Sequence, residues 1–131
     1  MRLVTRLLAV AGEEALAEGV FAADSPFTDE NGVIGHAGLM ELAAQACALT
    51  QGHAASQAQS PPREAFLVGI RNFHMFRNAR AGELLHIQAR RVAELDGFLL
   101  ADVVVFAPDA ADRPLASLRI KAYFPPEGNH G

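Results

Sequence analysis

His36-Ala-Gly-Leu-Met-Glu41-Leu-Ala-Ala-Gln45-Ala-Cys-Ala-Leu-Thr50 decides the fold. The stretch is built from strong helix formers, and Gly52 just beyond it offers a stop. Apolar residues occupy almost the whole circumference, which marks a helix enclosed by other structure rather than one lying on a surface. Only Glu41 and Gln45 interrupt it, and their i,i+4 spacing puts both on one face. A carboxylate in such a helix is costly unless it is hydrogen-bonded or has a function. Two readings of Glu41 therefore stand side by side. It is a reacting acid, or it satisfies a neighbouring backbone group or arginine. Burial would favour its neutral, proton-donating form.

Outward from the helix the chain reads as strands. On the N-terminal side, Leu3 to Ala11 and Ala15 to Ala23 are β-like runs joined by Gly12-Glu13-Glu14, a hairpin. Asp24-Ser25-Pro26 breaks the second run, and Phe27 to Gly35 is a loop rich in turn formers. On the C-terminal side, His53 to Arg63 is poor in large apolar residues and reads as a surface loop. Four strand-like stretches follow: Ala65 to Phe76, Glu83 to Leu95, Phe98 to Ala107 and Pro114 to Phe124. Ala81-Gly82, Asp96-Gly97 and Asp109 to Asp112 supply the turns between them. Phe98 to Phe106 is nearly all apolar, as expected of a central strand covered on both faces. Glu127 to Gly131 is expected to be a frayed tail.

The order is thus two strands, one long helix and four strands, with no internal repeat. A single six-stranded sheet cannot enclose a helix that is apolar all round. The economical arrangement is an antiparallel sheet curved around the helix, with a second copy completing the enclosure. This predicts an α+β hot-dog fold over residues 1–131, working as a homodimer or a higher even oligomer.

Bulk composition fits one globular domain. Half of the 131 residues are hydrophobic, a fifth are charged, and the net charge is −4. An acidic chain with one lysine argues against a nucleic-acid partner. One cysteine, Cys47, excludes an internal disulfide, and no Cys/His group has zinc spacing, so no metal and no cofactor are expected. The N-terminal apolar stretch is too short for a secretory core, and no run approaches a membrane span, so the expected location is cytoplasmic.

With this pattern in place, the chain resembles the 3-hydroxyacyl-(acyl carrier protein) dehydratases of fatty acid synthesis. Three segments carry the likeness. Ser25-Pro26-Phe27 is similar to the Pro-Phe leading into that family's active-site loop. Glu41-Leu42-Ala43-Ala44-Gln45-Ala46 is similar to its helix motif, with acid and amide at the same separation. Phe66 to Phe73, followed by Gly82-Glu83 and Leu85, is similar to its third strand and the turn after it.

The resemblance implies an acyl thioester as substrate, carried on coenzyme A or acyl carrier protein, and a site shared between two subunits. A loop histidine of one subunit takes the C2 proton, and a helix carboxylate of the other protonates the departing 3-hydroxyl. Carried over, Glu41 is the acid and Gln45 its neighbour on the substrate side. The loop histidine has no counterpart: Thr28-Asp29-Glu30-Asn31-Gly32 stands there, and Asn31, nearest its position, is a poor base.

His36, at the helix start, is the candidate replacement, or it merely hydrogen-bonds there. It lies about 140° round the helix from Glu41, so the two meet only across a dimer. Gly35 and Gly38 let a thioester approach the backbone, or serve the helix start and a close packing contact. Gly69 of the third-strand segment is a further substrate-side position. Arg71, Arg77 and Arg80 either guide an anionic carrier or are ordinary strand-edge arginines. Three functions follow in order: dehydratase, thioesterase with Glu41 activating water, and non-catalytic acyl binder.

Overall fold

The computed structural model describes residues 2–57 and 66–125. The expected tail at 127–131, and the surface-loop reading from 58 to 63, lie outside the described residues.

Two strands open the chain, β1 (Val4–Ala11) and β2 (Glu14–Gly19). A short β3 (Val33–Ile34) leads into α1 (His36–Gln57). Then come β4 (Phe66–Met75), β5 (Ala79–Arg80), β6 (Leu85–Leu95), β7 (Phe98–Phe106) and β8 (Ala116–Tyr123). Six strands form one antiparallel sheet in the order β1-β2-β6-β7-β8-β4, while β3 pairs with β5 in a separate two-stranded sheet and bridges Thr28 through Ile34. This is the hot-dog arrangement expected from the sequence.

Alternation places the core. On β7, Leu99, Ala101, Val103 and Val105 are buried while the residues between them stay half-buried, apart from exposed Phe98. The expectation that both faces of this strand are covered is therefore corrected: the sheet has one packed face and one partly wet face. Against the packed face lie Leu39, Leu42, Ala43 and Ala46 of α1. Gly19 lets the helix come close, since a Cβ there would sit 2.8 Å from Leu42 Cδ1 and 2.9 Å from the Leu3 carbonyl. The β6–β7 hairpin turns on Asp96 and Gly97, both at positive φ (52° and 84°), the conformation that Asp-Gly supplies for a tight turn.

Three boundaries differ from the sequence reading. β2 ends at Gly19, not Ala23, because its partners run out there: Gly19 pairs with Val4 on one side and Leu85 on the other. The helix passes through Gly52 to Gln57. One interior glycine costs about 1 kcal/mol, and the helix-forming His53-Ala-Ala-Ser-Gln57 that follows continues the helix. The β3–β5 pair was hidden inside what reads as loop.

Full enclosure of the helix is also corrected for one protomer. Ala37, Glu41 and Ala48 form an exposed stripe on the side away from the core. Among the described residues no helix is long and apolar enough to cross a membrane.

Candidate active site

Glu41 projects from the open side of α1 and is exposed within one protomer, so the expected burial is not met there. Its carboxylate Oε1 accepts a hydrogen bond from Gln45 Nε2 at 3.2 Å, one helical turn further on. The other end of the same amide is also used: Gln45 Oε1 accepts the backbone N–H groups of Leu3 at 2.6 Å and Val4 at 3.2 Å. The amide therefore cannot flip without losing both bonds, and its NH2 is held toward Glu41. Gln45 thus reaches the first strand of its own chain, in addition to lying beside the acid.

Glu41 and Gln45 stand at one end of an apolar groove of about 260 Å³. One wall is the helix face Glu41, Ala44, Ala48 and Gln51; the other includes Leu67 of β4, Leu99 of β7 and Ala122 of β8. The sequence reading missed this groove. Its signal is the small-residue spacing Glu41, Ala44, Gln45, Ala48, which places one narrow stripe along a helix.

The loop before the helix is pinned rather than free. Asp29 Oδ1 accepts the N–H groups of Asn31 (2.8 Å) and Val33 (2.9 Å). Arg80 Nη2 donates to the Asn31 carbonyl at 3.0 Å, and Asn78 Nδ2 donates to the Ile34 carbonyl at 3.1 Å. Asn31 is exposed and contributes its backbone to this clamp. Ser25 is buried and its hydroxyl accepts the Phe27 N–H at 3.2 Å, closing a tight turn ahead of the loop.

His36 is exposed at the first turn of α1, with its ring edge-on to Phe73 at 5.2 Å between centroids. It does not line the Glu41 groove, so one protomer does not bring His36 and Glu41 together. Gly38 is a packing residue: a Cβ there would meet Ile34 Cγ2 at 2.6 Å and Phe27 Cβ at 3.0 Å. These contacts support the close-packing alternative for Gly38. Gly35 and Gly69 have open space where a side chain would project.

Of the arginines, Arg77 forms a two-pronged pair with Glu83 (2.6 and 3.1 Å), which holds the Glu83 carboxyl below the usual range. Arg80 belongs to the loop clamp, while Arg71 is exposed on β4. Burial pushes the Cys47 thiol up to about 12, so it is an inert part of the groove wall. Among the described residues no three His, Cys, Asp or Glu side chains converge as metal ligands.

A family model described as ApeP-like, ApeP dehydratase, matches residues 1–130. The chain belongs to the ApeP-like dehydratase family. As a member of that family it is a dehydratase, a hydro-lyase. Among curated proteins none matches the chain.

Solved structures agree on the fold. The dehydratase heterocomplex ApeI:P from Xenorhabdus doucetiae superposes with a TM-score of 0.84 at 18% identity, covering 96% of this chain and 84% of that one. A mutant thioesterase from Pseudomonas aeruginosa gives 0.68 at 16% identity, covering 92% and 79%. A hypothetical thioesterase with coenzyme A from Streptococcus pneumoniae gives 0.70 at 10% identity, covering 92% and 87%.

Proposed function

We propose that the chain dehydrates a 3-hydroxyacyl thioester, with Glu41 as the general acid. The thioester is carried on acyl carrier protein or coenzyme A, in cytoplasmic fatty acid or related lipid or polyketide synthesis. The observation that carries this is the position of Glu41: an accessible carboxylate, held by Gln45, at the end of an apolar groove. In the reaction a base removes one proton from C2, and the C2–H electron pair forms the C2=C3 double bond. The C3–O bond breaks, and Glu41 gives its proton to the departing hydroxyl, which leaves as water. The products are a 2-enoyl thioester and a Glu41 carboxylate, which regains its proton from the base.

The base comes from a second subunit. The loop 28–35 of this chain contains no histidine, and Asn31 has no basic group to offer. His36 is an exposed imidazole whose ring packs on Phe73 of edge strand β4. Along β4, Phe66, Leu67 and Val68 are each about half exposed (50–54%), which fits pairing with another chain. A subunit joined along that edge would lie beside His36. Its occupant is a second copy of this chain, or a related subunit as in the ApeI:P heterocomplex.

A thioesterase reading is favoured by one observation, a lone accessible carboxylate able to activate water without a loop histidine. A mass-spectrometric time course with 3-hydroxybutyryl-CoA and crotonyl-CoA, then longer carrier-protein thioesters, separates the readings. Interconversion by one water, lost in Glu41→Gln, is expected. Release of free acid and thiol would make it a thioesterase, and intact substrates throughout would leave binding alone.

A further inference from the structure

We infer that the outer face of the sheet carries an oxyanion site, which holds a phosphate group between β4 and β8. Strand register puts four charged residues in one row on that face: Arg71 opposite Arg119, Arg119 opposite Asp102, and Asp102 opposite Arg90. Asp102 is the only acid in the row. Both its oxygens accept from Arg119, at 2.8 and 3.2 Å, and Arg90 stands 3.7 Å away. Three arginines against one carboxylate leave positive charge uncompensated, in a chain whose net charge is −4. Arg71 makes no ion pair among the described residues, and it faces Arg119 directly. Like charges directly opposite on a sheet destabilise it, a cost that a bound anion offsets.

Beside the row lies a hollow of about 300 Å³, lined by Asn72 and His74 of β4, Ser117 and Arg119 of β8, and Asp102 and Val104 of β7. A bulge in β4 shapes it: the pairing of Arg71 with Arg119 is followed by that of His74 with Ser117, one residue out of step. Asn72, inside the bulge, has a φ of 55°, which Asn tolerates better than most residues. Bulges re-aim side chains, and this one brings Asn72 to the wall of the hollow. The side chains of Asn72, His74 and Ser117 make no hydrogen bond among the described residues. Arg119 gives only its Nε and one Nη2 hydrogen to Asp102. Unspent amide, hydroxyl, imidazole and guanidinium donors around one hollow fit the oxygens of a phosphate group. The sheet separates this hollow from the helix and Glu41. A subunit paired along the β4 edge would extend the sheet in its own plane and leave the outer face open.

The test is an NMR titration of the whole chain at pH 7 and fixed ionic strength, with inorganic phosphate or glycerol 3-phosphate replacing chloride. The His74 ring signal, assigned by its loss in His74→Gln, should shift and saturate. Half-saturation is expected at about 1 mM, the range that two or three charge-assisted hydrogen bonds support. The thermal unfolding midpoint should rise over the same range and keep climbing with the logarithm of concentration. Ser117→Ala removes a donor that has no partner in the chain, and it should raise the half-point about 10-fold. Arg71→Gln should raise the midpoint in chloride, because the like charge is gone, and weaken phosphate binding. A lower half-point for the ester assigns the hollow to a phosphorylated metabolite, and an equal or higher one assigns it to free phosphate. A His74 signal that phosphate does not move, or a half-point unchanged in both Ser117→Ala and Arg71→Gln, would overturn the site. So would a midpoint that chloride raises as much as phosphate does at the same ionic strength.

Discussion

The side-chain Oε1 of Gln45 accepts the backbone N–H of Leu3 at 2.6 Å, tying the middle of the helix to the entry of the first strand. Because the same amide donates to Glu41, the N-terminal strand and the acid are set by one side chain. Gln45→Ala removes the acceptor for both Leu3 and Val4 and is expected to cost about 1–3 kcal/mol of stability. Gln45→Glu keeps that acceptor but loses the donor to Glu41 and sets a like charge beside it. It should unfold close to wild type in urea, yet lose about 10-fold in turnover, as expected for one hydrogen bond to a charged group. Equal stability loss in both variants would show that the strand contacts do not matter.

Glycines 35 and 38 separate in the same way. A methyl group at 38 would press on Ile34 and Phe27, so Gly38→Ala is expected to destabilise by about 1–3 kcal/mol. Gly35 has nothing within 4 Å, so Gly35→Ala should leave the urea midpoint within about 0.5 kcal/mol of wild type. If Gly35→Ala nevertheless raises KM at unchanged stability, the thioester passes over that peptide. An unchanged KM removes Gly35 from the substrate side.

What the sequence made legible was whatever local pattern dictates. Alternation on β7, the Asp96-Gly97 turn and the unbroken helix formers around Glu41 all translate directly into structure. Long-range pairing was less visible. The strand β4 sits at the sheet edge beside β8 because of topology, and no residue on β4 announces it. The loop clamp was hidden for the same reason, since Arg80 is 49 residues from the carbonyl it holds. Glu41 was found because a carboxylate is conspicuous among alanines. Its exposure was misjudged because the sheet packs against only one side of this helix, leaving Ala37, Glu41 and Ala48 open within the protomer.

Asp102 gives a pH prediction. Hydrogen bonds from Arg119 hold its carboxyl below the ordinary value, outweighing its partial burial, with Arg119 and Arg90 charges assisting. A depressed folded-state value means stabilisation that is complete above the unfolded carboxylate range, near pH 4, and lost as pH falls through the folded value. The side chain is 33% exposed, which limits the effect to roughly 0.5–1 kcal/mol. Asp102→Asn should therefore unfold earlier than wild type in urea at pH 7, with the gap closing toward pH 3. A gap that does not change with pH would place the effect in packing.

Cys47 gives the opposite sign. Its thiol is 9% exposed, lines the groove and is pushed up to about 12 by burial. At pH 8 about one molecule in ten thousand then carries the thiolate, against about a quarter for a free cysteine near 8.5. Alkylation of the native chain by iodoacetamide should be slower than that of the urea-unfolded chain by orders of magnitude. Its rate should rise about tenfold per pH unit through pH 9 without levelling off. The linkage follows from a folded value raised above the unfolded one for a group that is neutral when protonated. Stability is complete below about pH 8.5 and falls as pH rises toward 12, by about 2 kcal/mol at pH 10. Cys47→Ala should flatten that alkaline decline while costing some packing at every pH. An alkylation rate that levels off near pH 8.5 would mean that water reaches this wall of the groove, and that an acyl tail gains little by lying against it.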